Sequence, residues 1–85
     1  MKTHLLRIYE RKWKYLKAKA KLKYKHFAFY ATVSIRLKSD SKGDHELNAR
    51  ADFYRRKSDE ARRTSLDYLH KAGLIAAKIK LIRGR

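Results

Sequence analysis

Cysteine and proline are both absent from this 85-residue chain, which also contains only three glycines. Without cysteine, the chain has neither a disulfide framework nor a thiolate metal site, which fits a reducing compartment. Without proline, the commonest helix breaker is missing, and long uninterrupted helices are permitted. The two absences together favour a chain built from long helices.

Acidic residues are scarce, with 8 Asp plus Glu against 24 Lys plus Arg and a formal net charge of +16. Such an excess destabilises a compact chain through self-repulsion, and a polyanionic partner would relieve it. RNA, DNA, an anionic membrane surface and an acidic protein are the candidate partners.

Long apolar runs are also missing. No stretch of the sequence is apolar over the length needed to cross a bilayer, and residues 1–7 lack the apolar core of a signal peptide. We therefore expect a soluble cytoplasmic protein of one small domain, residues 1–85. A membrane is the least favoured partner, because the apolar seam described next would be occupied by a second helix.

The second half of the chain carries an uncharged residue at every third or fourth position, while charged residues fill most positions between them. These uncharged residues are Leu47, Ala51, Tyr54, Ser58, Ala61, Ser65, Tyr68, Ala72, Ile75, Ile79 and Ile82. A stripe that repeats every 3.5 residues is typical of a helix that packs along a partner helix.

The first half carries a comparable seam with a single charged member, Lys23. Its residues are Leu6, Tyr9, Trp13, Leu16, Ala20, Lys23, Phe27, Tyr30, Ser34 and Leu37. Between the two halves, the polar cluster 39–44 contains Gly43 and indicates a turn, with Asp44 as the helix N-cap that follows it. The sequence thus predicts an all-α fold, a long antiparallel helical hairpin with its loop at about residues 39–44.

Residues 27–37 leave one alternative open. Every second residue there is apolar, and the residues between them are mostly polar, small or charged. Aromatic and β-branched residues are frequent, and both features are typical of a β-strand. A strand at this place would have to pair with another chain, because the rest of the sequence indicates helix. We favour the helix and keep the strand as the alternative.

Positive charge is concentrated in the first half. Residues 1–38 hold 12 Lys plus Arg and one acid, Glu10, so most of these cations lack a partner in the sequence. In the second half, most acids stand four residues before a base and predict ion pairs within the helix. These predicted pairs are Glu46–Arg50, Asp52–Arg56, Asp59–Arg63 and Asp67–Lys71.

Lysines interleaved with aromatic residues can bind phosphates while the aromatic rings stack on unpaired bases. In a hairpin, the basic C-terminal residues would return beside the start of the first helix. The predicted nucleic-acid-binding residues are Lys12, Lys14, Lys17, Lys19, Lys21, Lys25, Tyr15, Tyr24, Lys78, Arg83 and Arg85.

A second apolar set lies off the seam and cannot be buried within one hairpin. It predicts either a dimer that forms a four-helix bundle or a surface for a protein partner. The predicted protein-interaction residues are Ile8, Tyr15, Leu22, Phe29, Leu66 and Leu69.

The sequence offers no catalytic constellation. The four histidines are far apart, no glycine-rich phosphate loop is present, and Ser58 and Ser65 lack the histidine and aspartate that a triad needs. We expect no enzymatic activity, no metal and no cofactor.

These patterns predict a non-enzymatic protein that binds RNA or DNA through a lysine-rich helix. The alternative is a small modulator or inhibitor, of the type encoded by phages and plasmids, that binds a host protein of a nucleic-acid-processing complex. A homodimer is compatible with either function.

Overall fold

A computed structural model describes residues 2–84 and contains two helices, α1 (Lys2–Ser41) and α2 (His45–Arg83). They lie antiparallel as a straight rod whose Cα atoms extend over 63 × 14 × 13 Å. The predicted all-α hairpin is therefore confirmed. Within the described residues, neither helix combines the length and apolarity that crossing a bilayer requires.

The connection between the helices is shorter than predicted, because α1 continues through Ser41 and leaves only residues 42–44 outside the helices. The Ser41 hydroxyl donates to the Lys38 carbonyl at 2.9 Å, which ties the last turn of α1. The chain then reverses through two residues of positive φ, Lys42 (41°) and Gly43 (91°). Glycine suits this conformation because it has no Cβ to clash with the backbone.

Asp44 begins α2 as predicted. Its Oδ1 accepts hydrogen bonds from the backbone N–H of Glu46 at 2.9 Å and of Leu47 at 3.4 Å. These bonds satisfy two of the amide donors that the start of a helix leaves free.

Residues 27–37 belong to α1, so the strand alternative is wrong, and no strand occurs anywhere in residues 2–84. The helix prevails because its 3–4 spacing finds partners on α2. Tyr30 stacks on Tyr54 with ring centroids 6.0 Å apart, and the Ser34 hydroxyl donates to the Ala51 carbonyl at 2.8 Å. Of the apolar residues that made the alternation, Phe29 and Ile35 fall outside the helix contact and are left exposed.

Every predicted seam residue of both helices is buried or half-buried. Near the open end, where α1 begins and α2 ends, the seam is apolar. Leu16, Ala72, Ile75 and Ile79 form a core cluster there, and Trp13 packs against it.

Nearer the loop, small residues and serine hydroxyl groups join the aromatic and aliphatic residues of the seam. Besides Ser34, the Ser58 hydroxyl donates to the Phe27 carbonyl at 3.2 Å, and the Ser65 hydroxyl donates to the Ala20 carbonyl at 2.8 Å. A short serine side chain reaches a backbone carbonyl only when the two backbones approach closely. Along α2, these positions follow a seven-residue repeat of small residues: Ala51, Ser58, Ser65 and Ala72.

Candidate nucleic-acid interface

The lysines of α1 are short of anionic partners. Four ion pairs form among residues 2–84. They are Lys38–Asp52, Arg50–Glu46, Lys71–Asp67 and Arg83–Glu10. Two of the four pairs predicted within α2 are thus confirmed. Asp52 instead reaches across to α1, and no Asp59–Arg63 pair forms among the described residues. None of the six predicted α1 lysines is paired with a carboxylate of residues 2–84.

The hairpin separates these lysines onto two sides of the rod. Lys14 and Lys21 directly follow the seam residues Trp13 and Ala20, whereas Lys12 and Lys19 directly precede them. Because one residue turns a helix by about 100°, the two pairs flank the seam from opposite sides. The six lysines therefore do not form one face.

On the first side, two neighbouring depressions run between the helices. The depression nearer the open end is lined by Glu10, Trp13, Lys14, Ala76, Ile79, Lys80 and Arg83. The next is lined by Lys17, Ala18, Ala20, Lys21, Tyr24, Ser65 and Leu69. They adjoin, because the Lys17 ammonium of the second lies 5.9 Å from the Trp13 ring centroid of the first. We call this continuous surface the lysine groove.

The lysine groove combines cations with an exposed aromatic ring. Tyr24 is 60% exposed, and its ring meets that of Phe27 at a centroid distance of 5.6 Å and an angle of 56°. Lys21 and Lys17 precede it by one and two helical turns, and Leu69 of α2 lines the same depression. Between the cationic side chains, the groove is lined by small residues, which leave it open as a depression. These are Ala20, Ser65 and Ala76.

The other side of the rod carries a separate set of cations. Lys12 and Lys19 lie there on α1, and the Lys78 ammonium lies 5.8 Å from the Tyr9 ring centroid. Lys19 also covers the ring of Tyr15, at 5.6 Å from its centroid. Lys25 comes one turn after Lys21 and lies toward the outer face of α1.

Arg83 is placed in the lysine groove but is already engaged. Its guanidinium donates to the Glu10 carboxylate at 2.6 Å, and that carboxylate is the only one in residues 1–38. A phosphate that bound Arg83 would have to compete with Glu10. Arg85, also predicted as a contact, lies outside the described residues.

The predicted protein-interaction residues do not form one patch. Ile8, Tyr15, Leu22 and Phe29 are spaced by seven residues on the side of α1 that faces away from α2, and we call them the apolar row. All four are exposed, by 44% to 63%. Leu69 lies instead in the lysine groove, and Leu66 lies beside Arg62 and Arg63 on α2.

Lys80, Trp13 and Glu10 line the lysine groove but were not among the predicted contacts. A sequence signal for Lys80 exists, because it directly follows the seam residue Ile79, as Lys14 follows Trp13. No comparable signal distinguishes Glu10, whose place in the groove depends on the register between the helices.

The described part of the chain, residues 2–84, contains no group of three or more His, Asp or Glu side chains placed to hold a metal ion. No family model, no curated protein and no solved structure matches this chain.

Proposed function

We propose that this protein is a non-enzymatic nucleic-acid-binding protein that contacts phosphates through the lysines of α1. The observation that carries the proposal is the set of α1 lysines without a carboxylate partner within residues 2–84. Within those residues no carboxylate neutralises their charge, so the lysines can replace the small cations condensed on a nucleic acid, whose release favours binding.

The shape of the molecule supports the same function. A rod of 63 Å with cations on two sides offers many weak phosphate contacts, and the two depressions described above are open to solvent. Binding of this kind is dominated by electrostatics and is expected to depend strongly on salt.

Replacing Lys14, Lys17, Lys21 and Lys25 with glutamine tests the proposal. The variant should lose at least tenfold in affinity for a nucleic-acid oligonucleotide, measured by fluorescence anisotropy. The slope of log affinity against log salt should become shallower by about three, since each lost phosphate contact removes roughly 0.7 to 0.9 of that slope.

A matched control removes the same charge from the loop half of α2, by replacing Arg50, Arg55, Arg56 and Lys57 with glutamine. It should lose less affinity than the α1 variant. Equal losses would mean that net charge alone governs binding and would contradict an interface on α1. Circular dichroism should show that both variants remain helical, because all eight side chains are exposed.

The apolar row favours a second candidate function, the binding of an acidic protein. Four apolar side chains at seven-residue intervals match the spacing with which a partner helix packs. Flanking cations, including Lys12, Lys19 and Lys25, would repel a second copy of this chain and attract an acidic helix.

Replacing Tyr15 and Leu22 with glutamate tests this second function. A partner protein that co-purifies with the parent protein from its native cells should no longer co-purify with this variant, whose helicity should be unchanged. If the complex persists with the doubly substituted protein, the apolar row is not the docking surface. Replacement of the α2 residues Leu74 and Leu81 with glutamate, at positions that are also exposed, provides the control.

A further inference from the structure

We infer that the lysine groove binds a single-stranded nucleic acid, with a base stacked on Tyr24 and the sugar-phosphate backbone held by Lys14, Lys17 and Lys21. The inference rests on the proposed function and adds the substrate class and the binding track. It follows from how the groove, the rod and the aromatic residues are arranged.

The groove is straight and follows the rod axis. From Glu10 to Tyr24 it extends over 14 residue-to-residue steps of α1, or roughly 21 Å at the rise of an α-helix. Lys14, Lys17 and Lys21 project into it at successive turns. An extended strand of a few nucleotides matches this regular line of cations, because single strands bind where a positive groove tracks the backbone.

Tyr24 is the residue that distinguishes a single strand from other polyanions. The residue is 60% exposed and lies at the end of the line of lysines. Tyr15 is similarly exposed, at 57%, but Lys19 lies over its ring, and it faces away from the groove. An unpaired base can stack on Tyr24 with its phosphates next to Lys21 and Lys17, whereas a base inside a duplex is not available for stacking.

The rod is poorly shaped for a duplex. Its Cα atoms alone extend over 14 × 13 Å in cross-section, and the major groove of B-DNA, about 12 Å wide, admits one helix. The outward side of α1, the only part of α1 that could enter, presents the apolar row at its centre. The centre of that side carries Ile8, Leu22 and Phe29, which offer no donor to the base edges, and only Tyr15 and cations such as Arg11 and Lys25 could donate there.

Replacing Tyr24 with leucine tests the inference, with Tyr24→Phe and Tyr15→Leu as matched controls. Affinities of the full chain for a single-stranded RNA, a single-stranded DNA and a duplex DNA of mixed sequence would be measured at one salt concentration. Tyr24→Leu should weaken single-strand binding by roughly 5- to 150-fold, the range expected for loss of one stacked base. Tyr24→Phe and Tyr15→Leu should bind single strands like the parent protein.

The single tryptophan provides an independent readout, because Trp13 lines the same groove. Its fluorescence should change when a single strand binds. Duplex binding at least as tight as single-strand binding, or equal losses for Tyr24→Leu and Tyr15→Leu, would overturn the inference but leave the proposed function in place. Failure of the parent protein to bind any of the three nucleic acids would overturn both.

Discussion

Individual residues decide how much of the positive charge is free to bind. Lys17 and Lys19 have no carboxylate partner among residues 2–84 and lie over aromatic rings, at 5.9 Å from Trp13 and 5.6 Å from Tyr15. Exposed contacts of this kind contribute only about 0.5–1 kcal/mol and leave the ammonium groups accessible. Glu10 differs, because it places a negative charge inside the lysine groove and binds Arg83.

Replacing Glu10 with glutamine should raise the affinity for a nucleic acid. The change frees Arg83 for phosphate and removes a carboxylate that repels the strand. Anisotropy titration should show an increase of several-fold at low salt that shrinks as salt rises, because the added interaction is electrostatic.

Asp67→Asn is the matched control, because Asp67 pairs with Lys71 and lies outside the lysine groove. It changes the net charge by the same amount and should raise the affinity for the nucleic acid less than Glu10→Gln does. An unchanged affinity for Glu10→Gln, or the same gain in both variants, would show that Glu10 does not compete with phosphate.

At the scale of the helices, the spacing of uncharged residues predicted which faces meet. Every member of both seams is buried or half-buried, even the charged Lys23. The spacing did not reveal the hydrogen bonds of the serine hydroxyls, since a serine at a seam position is equally compatible with small-residue packing.

The predicted loop began about three residues too early in the sequence, because Ser39 and Asp40 favour turns in isolation. Because both residues are exposed, including them in the last turn of α1 costs little stability.

Gly73 is the weakest residue of α2 by intrinsic propensity, and the structure gives it no role. A methyl group built on it would meet nothing within 4 Å. Gly73→Ala should therefore stabilise the protein by about 1 kcal/mol, the difference in helix propensity between the two residues.

Urea unfolding monitored by circular dichroism would measure this gain. The reverse change at a nearby exposed position, Ala77→Gly, should lower the free energy of unfolding by a similar amount. A loss of stability in Gly73→Ala would mean that this position needs the freedom of glycine. Gly43 is the contrasting case, because its φ of 91° makes substitution by alanine destabilising.

The whole molecule is a thin rod whose charge is distributed unevenly along its length. The acids lie mostly toward the loop, and the open end combines the basic start of α1 with Lys80 and Arg83 of α2. The sequence predicted this asymmetry and the excess of lysine on α1. The division of the lysines between two sides follows from their positions before and after the α1 seam residues, but the antiparallel register could not be predicted. The same register brings Glu10 to Arg83, Lys78 to Tyr9, and Leu69 into the groove beside Tyr24.

The most direct test of the account is a titration of the purified protein with single-stranded RNA, single-stranded DNA and duplex DNA over a series of salt concentrations. We predict micromolar or tighter binding near physiological salt, a steep fall in affinity as salt rises, and a preference for the single strands. Weak binding that is equal for all three and disappears by physiological salt would contradict the account. The charge of α1 would then serve a protein partner at the apolar row.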